Sequence, residues 1–287
     1  MNQDILTLIQ ENIHTFSKGQ KRIANFILES YDKAAFMTAS RLGKRVGVSE
    51  STVVRFAAEL GYDGYPDMQK SLQKMIRNRL TSVQRIEVTN DRIGDQDLLS
   101  MILQSDVEKI RLTLEELDRD SFERAVNAIV AARKIYIIGV RASTSIATFL
   151  TFYLNLMFGN VVEVSANTAS EVFERLLRVG EGDVVIGVSF PRYSSRTVQA
   201  VSFARDRGAT TIAITDSEAS PLAPICTHTL KARSDMASFV DSLVAPLSLV
   251  NALLVAVSRK KNDDLAHTFH TLEQIWDEYG VYEKVPE

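Results

Sequence analysis

Four short runs of apolar and β-branched residues constrain this fold more than any other feature: KIYIIG (134–139), VVEV (161–164), DVVIGV (183–188) and TTIAIT (210–215). Helical stretches separate them, read from Ile146, Phe149, Leu150, Tyr153, Leu154 and Met157, from Val172–Leu177, and from Ser195–Arg207. A fifth strand is expected at Thr227–Lys231, then a long helix from about Ala237 to Ser258. Strands that are apolar throughout are buried on both faces, and strands linked by helices run parallel. The expected fold class is therefore α/β, with an all-α N-terminal region followed by a doubly wound parallel sheet.

The N-terminal region lacks such runs. Ile5, Leu8, Ile9 and Ile13 share one helical face, and Ile23, Phe26 and Ile27 share another. Residues 81–95 lose the periodicity and read as a linker. The helical pattern resumes at Leu98, Ile102, Ile110, Leu114 and Leu117, and Asp120 or Ser121 is the expected N-cap of the next helix. The chain thus divides into a helical domain (1–80), a linker with a connecting helix (81–120) and an α/β domain (121–287). Charge follows the same division. Residues 1–80 hold 12 Lys and Arg against 8 Asp and Glu, whereas the remaining 207 hold 21 against 28. A basic small domain on an acidic large one directs a polyanionic partner to the first.

Other classes are set aside by composition. One cysteine, Cys226, excludes a disulfide framework and a cysteine-cluster metal site, and it reads as a buried structural thiol. The N-terminus lacks the basic and apolar regions of a signal peptide, and no apolar stretch reaches membrane-spanning length, so a cytoplasmic location and no membrane partner are expected. His267 and His270, with Asp263 or Asp264 a turn earlier, read as an exposed helix face; no metal is expected.

Within the basic domain, residues 38–65 carry a helix-turn-helix pattern. Ala39, Leu42 and Val46 form one short apolar face, Gly47 breaks it, and Ser49 is placed to cap a second helix. Val53, Phe56, Ala57 and Leu60 form that helix's buried face, and Gly61 ends it. Its opposite face presents Glu50, Ser51, Thr52 and Arg55. The N-terminal end of a recognition helix reads base edges, for which arginine and short hydroxyl side chains are suited. The expected DNA-binding residues are Lys44, Arg45, Ser49, Ser51, Thr52 and Arg55, with Lys18, Lys21 and Arg22 as further phosphate contacts. Such a corner also occurs as a plain packing unit, and Glu50 suits a phosphate neighbour least.

In an open parallel sheet, ligands bind beyond the carboxyl ends of the strands. The loops there are Gly139–Ser145, Ser165–Ser170, Ser189–Thr197 and Asp216–Ser220, all rich in hydroxyls. Helix starts near Ser143 and Ser145, and near Ser194 and Ser195, suit an anion, with Arg192 and Arg196 adding charge. Each serine taken singly is as well explained as a helix cap. The sequence after Gly139 misses the second and third glycines of a dinucleotide fingerprint, and no cofactor is expected. Glu171, Glu174, Asp216, His228 and Asp235 are the nearby acid–base candidates, and none stands in a catalytic pattern.

Together the two halves resemble the RpiR family of bacterial transcriptional regulators, in which a helix-turn-helix precedes a SIS (sugar isomerase) domain. T-A-x-x-L, V-S-x-S-T-V-x-R-F and L-G-Y-x-G-Y are matched between Thr38 and Tyr65. I-x-G and S-x-x-x-A within Ile137–Ala147, DVVIGVS, R-G-A, IAIT and S-P-L-A (220–223) resemble the SIS domain. The resemblance implies an operator-binding regulator, commonly a repressor, and a homodimer or homotetramer. It also implies a sugar-phosphate or sugar-acid effector held at Gly139, Arg141, Ser143, Ser189, Arg192 and Ser194. Where the family's second loop runs S-x-S-G-x-T, this chain has Pro191 for the middle serine, Arg192 for the glycine and Ser194 for the threonine. Arg141 likewise replaces a common glycine. The added arginines point to a more acidic effector, a sugar acid or its phosphate. The late helix carrying Leu265, Phe269, Leu272, Trp276 and Tyr279 has near-heptad spacing suited to an interface or to its own core. A sugar-phosphate isomerase or lyase with an accessory domain, and a protein-binding scaffold, are the competing classes.

Overall fold

The computed structural model describes residues 5–76, 81–93, 97–165, 168–236 and 238–283. The chain forms two compact units, Met1–Ile102 with Met236–Asp241, and Leu103–Asp235 with Ser242–Glu287.

Among the described residues, seven helices lie wholly in the first unit: α1 (Ile5–Asn12), α2 (Lys18–Glu29), α3 (Tyr31–Ala34), α4 (Ala39–Val46), α5 (Glu50–Glu59), α6 (Tyr65–Ile76) and α7 (Ser82–Ile93). Their core gathers Ile5, Ile9, Phe16, Ile23, Ile27, Leu42, Val53, Phe56, Met68 and Leu72. Of the apolar positions that share a helical face in the sequence, Ile5, Ile9, Ile23 and Ile27 are buried and Leu8, Ile13 and Phe26 pack half-buried against them. Ser17 starts α2 with a capping box, its hydroxyl accepting from Gln20 N while Gln20 accepts from Ser17 N.

Residues read as linker form α7 instead. A Thr81–Gln84 capping box starts this helix, with Thr81 N donating to Gln84 Oε1 at 2.9 Å and Gln84 N to Thr81 Oγ1 at 3.3 Å. Among its described side chains, Arg85 and Thr89 are buried while Val83 and Ile86 stay exposed, so these positions show no apolar inner face.

A long helix, α8 (Leu98–Glu116), crosses between the units in sequence. In the second unit, α9 (Arg119–Ala131) is capped by Asp118, whose Oδ1 accepts from Asp120 N and Ser121 N. The cap thus lies two residues before the earlier of the expected positions. There follow β1 (Lys134–Gly139), α10 (Ser143–Met157), β2 (Val161–Glu163), α11 (Ala169–Arg175), β3 (Asp183–Val188), α12 (Ser195–Arg205) and β4 (Thr210–Thr215). A 3₁₀ turn (Ala223–Ile225), β5 (His228–Lys231), α13 (Val244–Lys260) and α14 (Asn262–Glu278) complete it. The five strands are all parallel, in the order β2-β1-β3-β4-β5.

Alternation along the strands fills two layers. Ile135, Ile137, Val184, Ile186, Ile212 and Ile214 pack with residues of α9, α10 and α13. Tyr136, Ile138, Val185 and Ala213 pack with residues of α11 and α12 on the other face. This is the expected α/β class with helices on both faces. The long helix after β5 starts at Val244 rather than near Ala237, because the chain first leaves its unit: Met236 packs on the helical core and Asp241 pairs with Arg85. Among the described residues, no helix is long and apolar enough to cross a membrane.

Candidate DNA-binding face and ligand crevice

In the helical unit, α4 and α5 meet at a tight turn. Thr38 caps α4, Gly47 ends it in the left-handed conformation (φ 70°, ψ 43°), and Ser49 caps α5. A Cβ at Gly43 would lie 2.8 Å from Val48 O, so glycine is what permits the close approach of the second helix. Ser49 Oγ accepts from Thr52 N and lies 2.9 Å from Ser51 Oγ and 2.8 Å from Thr52 Oγ1. The three hydroxyls form one cluster at the helix start. Ser49 thereby holds the N-terminus, whereas Ser51 and Arg55 stand exposed and Thr52 is half-buried. Arg55 Nε donates to Ser51 O at 3.3 Å, which orients the guanidinium along the helix. Glu50 lies in the first turn, where a carboxylate favours the positive end of the helix dipole.

The start of α2 borders this face. A Cβ at Gly19 would lie 3.5 Å from both Thr52 and Val48 side chains, and Arg22 Nη1 donates to Gly47 O at 3.3 Å. Lys18, Lys21 and Arg22 are exposed beside the start of α5, and Lys44 and Arg45 are exposed on α4.

In the α/β unit, β1 connects to β2 on one side while β3 lies on its other side, so the loops leaving β1 and β3 diverge at a switch point, where α/β sheets open a crevice. Gly139 ends β1 because α10 passes close: a Cβ there would meet Ser143 O at 2.4 Å and Ala147 Cβ at 2.9 Å. Packing thus accounts for this glycine. Ser143 is buried at the first position of α10, whose N-cap, Ala142, makes no side-chain cap. Ser145 Oγ donates to Ala142 O at 2.7 Å and serves the turn.

Across the crevice, Ser189 is buried, and its Oγ accepts from Ser194 N at 3.2 Å while Ser194 caps α12. Thr215 Oγ1 lies 2.7 Å from Ser189 O and 2.8 Å from Ser220 Oγ. Tyr193 OH donates to Asp216 Oδ1 at 2.7 Å. These bonds tie the loops after β3 and β4 into one wall. The Tyr193–Asp216 and Thr215–Ser220 links carried no sequence signal, since their partners meet only through the folded loops.

Arg141 (φ 60°) and Arg192 (φ 61°) are the only non-glycine residues with positive φ among those described. They stand on opposite walls of the crevice, after β1 and after β3, and both are exposed. A left-handed backbone costs a Cβ-bearing residue roughly 1–2 kcal/mol.

Of the acid–base candidates, Asp216 lies in the wall formed by the loops after β3 and β4, bonded to Tyr193. Glu171 closes a capping box with Thr168 at the start of α11. His228 begins β5, at the amino edge away from the crevice, and burial followed by the charge of Arg124 lowers its pKa. Burial pushes the Cys226 thiol up to about 12, consistent with an inert structural residue. The side chains of Asp263 and Asp264 lie outside the described residues.

A helix-turn-helix domain of the rpiR family matches residues 3–79, and a SIS domain matches residues 128–256. The HTH-type transcriptional regulator HexR of Pseudomonas aeruginosa is 24% identical over 268 residues, covering 91% of this chain and 92% of its own. The NanR protein of Vibrio vulnificus, solved in complex with ManNAc-6P, superposes with a TM-score of 0.59 at 24% identity, covering 96% of this chain and 98% of its own. The sugar isomerase domain of the RpiR transcription factor from Sphaerobacter thermophilus is 30% identical, with a TM-score of 0.57, covering 62% of this chain and 99% of its own. With both domains matched in order and the helix-turn-helix and SIS folds in place, the chain belongs to the RpiR family of helix-turn-helix transcriptional regulators.

Proposed function

We propose that this regulator is a cytoplasmic repressor that binds an operator through α5 and is controlled by a phosphorylated sugar or sugar acid held in the crevice of its SIS domain. The observation that carries the DNA half is the exposed Ser51–Arg55 face of a capped helix, bordered by Lys18, Lys21, Arg22, Lys44 and Arg45. Ser49 acts chiefly as the cap, Ser51, Thr52 and Arg55 read bases, and the lysines and remaining arginines hold phosphates. For the ligand half, Ser143, Ser189 and Ser194 surround two helix starts suited to an anion, and a similar full-length fold binds ManNAc-6P. The protein works as a homo-oligomer in which ligand binding favours one spacing of two recognition helices. Glu171 in its capping box and His228 at the far edge of the sheet favour this reading over an isomerase.

Fluorescence anisotropy tests it, using DNA from upstream of the protein's own gene against unrelated DNA of equal length, across a salt series. A panel of sugar phosphates and sugar acids is added in turn. Tighter binding to the upstream DNA, shifted by one compound, is the expected result. Equal binding to both with the same salt slope leaves only nonspecific electrostatics and defeats the operator assignment for that DNA. Turnover of a panel compound at enzyme rates defeats the non-catalytic assignment.

The left-handed arginines refine the effector. Strain of this kind persists where the side chain has a use, and two cations on opposite walls suit a ligand with an acidic group besides its phosphate. Arg192→Gly, which keeps the backbone conformation, is expected to weaken 6-phosphogluconate at least tenfold more than glucose 6-phosphate, by calorimetry. An unchanged ratio sinks the acidic-effector assignment.

A further inference from the structure

We infer that the outward face of α8 is a seam that pairs with α8 of a second copy of this chain. The helix buries Met101, Ile102 and Leu112 only in part and leaves a second apolar strip uncovered. Its most completely buried residues are Lys109 and Thr113, while Leu99, Leu103, Val107 and Leu114 are 57–69% exposed and Ile110 37%. The inward polar groups are satisfied within the α/β unit. Lys109 Nζ donates to Ser105 Oγ and to Asp106 Oδ1, both at 3.0 Å. Asp106 Oδ1 also accepts from Ser242 Oγ at 2.6 Å, and Thr113 Oγ1 accepts from Arg233 N at 2.9 Å. A helix on a solvated surface keeps its outer side polar, which this strip does not.

The five outward residues follow one another at intervals of four, four, three and four. At 3.6 residues per turn they lie on a strip about 80° wide and roughly 22 Å long. Intervals of three and four make a knobs-into-holes seam, and such a seam is complementary to an identical one. One margin of the strip carries Glu108, Arg111 and Glu115, which pair within their own helix. A second α8 therefore meets no unpaired arginine there. At about 100 Å² for each covered side chain, the pair buries roughly 1,000 Å², the lower bound of a specific interface. The late helix is less available. Leu265, Phe269, Leu272 and Trp276 of α14 are half-buried, and α14 packs on α10 and α13.

The inference rests on the self-association proposed above and assigns its surface. The test uses the full chain with Cys226→Ser. Leu103→Cys and Ile110→Cys, singly and together, are treated with a short bismaleimide and run on a denaturing gel, with Glu108→Cys as control. Single variants report a parallel pair and the double variant also reports an antiparallel one. In parallel, sedimentation velocity at about 10 μM compares the wild type with Leu103→Glu/Leu114→Glu, whose circular dichroism checks folding. Double-mass cross-linked species at 103 or 110 but not at 108, with the mass of the Glu variant at least halved, are the expected results. An oligomeric wild type with no cross-linking above the control, or with its mass unchanged in the Glu variant, overturns the seam alone. A monomeric wild type overturns the seam and the self-association together.

Discussion

Phe56→Ala is expected to destabilise the helical unit by about 3–5 kcal/mol and to abolish operator binding. The Phe56 ring is fully buried and packs edge-on against Phe16, with centroids 5.1 Å apart. It anchors α5 beside Val53 and Ala57 in the core that also holds α1, α2 and α6. Removing it leaves a cavity under the recognition helix. The neighbouring substitution separates folding from recognition. Arg55 is exposed, so Arg55→Ala is expected to move stability by less than about 0.5 kcal/mol. Operator affinity is expected to fall by about 1–3 kcal/mol, roughly 5- to 150-fold, if Arg55 reads a base. Urea unfolding followed at 222 nm, with anisotropy on the same samples, checks both variants. A stable Phe56→Ala, or an Arg55→Ala that binds the operator as the parent does, contradicts the assignment of the residue concerned.

Asp241→Ala carries the second large effect. Between β5 and α13 the chain leaves the α/β unit after Asp235, gives Met236–Asp241 to the helical unit and returns at Ser242. Arg85 of α7 is fully buried and pairs with Asp241 at 2.7 Å. Deleting one partner of a buried ion pair costs about 3–5 kcal/mol. Arg85→Met with Asp241→Ala removes both charges and is expected to be milder than Asp241→Ala alone. A thermal-unfolding double-mutant cycle measures the coupling. Strict additivity of the two substitutions shows that the ion pair contributes nothing.

The pattern of the strands explains why so much of the fold was legible. β1, β3 and β4 are apolar or β-branched over nearly their whole length and flanked by loops rich in turn or capping residues, so local chemistry and global burial agree. The helix-turn-helix was legible for a similar reason, since Thr38, Gly47, Ser49 and Gly61 carry local cap and turn signals. Helix α7 is hard to read because, among its described side chains, the buried ones are Arg85 and Thr89, and Arg85 pairs with a residue 156 positions away. The helical pattern of Leu98, Ile102, Ile110, Leu114 and Leu117 does not pick out the exposed stripe of α8, because sequence spacing reports that a helix has an apolar face and not which way that face turns.

By itself the sequence determined the two-part architecture, the parallel order of strands and helices, and the two loops rich in hydroxyls and arginine, because each is written in local periodicity and in capping. Only the tertiary structure decided the other features. It left Arg141 and Arg192 in glycine-like backbone conformations on opposite crevice walls. It joined Tyr193 to Asp216, moved His228 to the far edge, and lent Met236–Asp241 to the other unit. These depend on which distant segments become neighbours, and that is set by the packing of whole elements rather than by any residue's local preference.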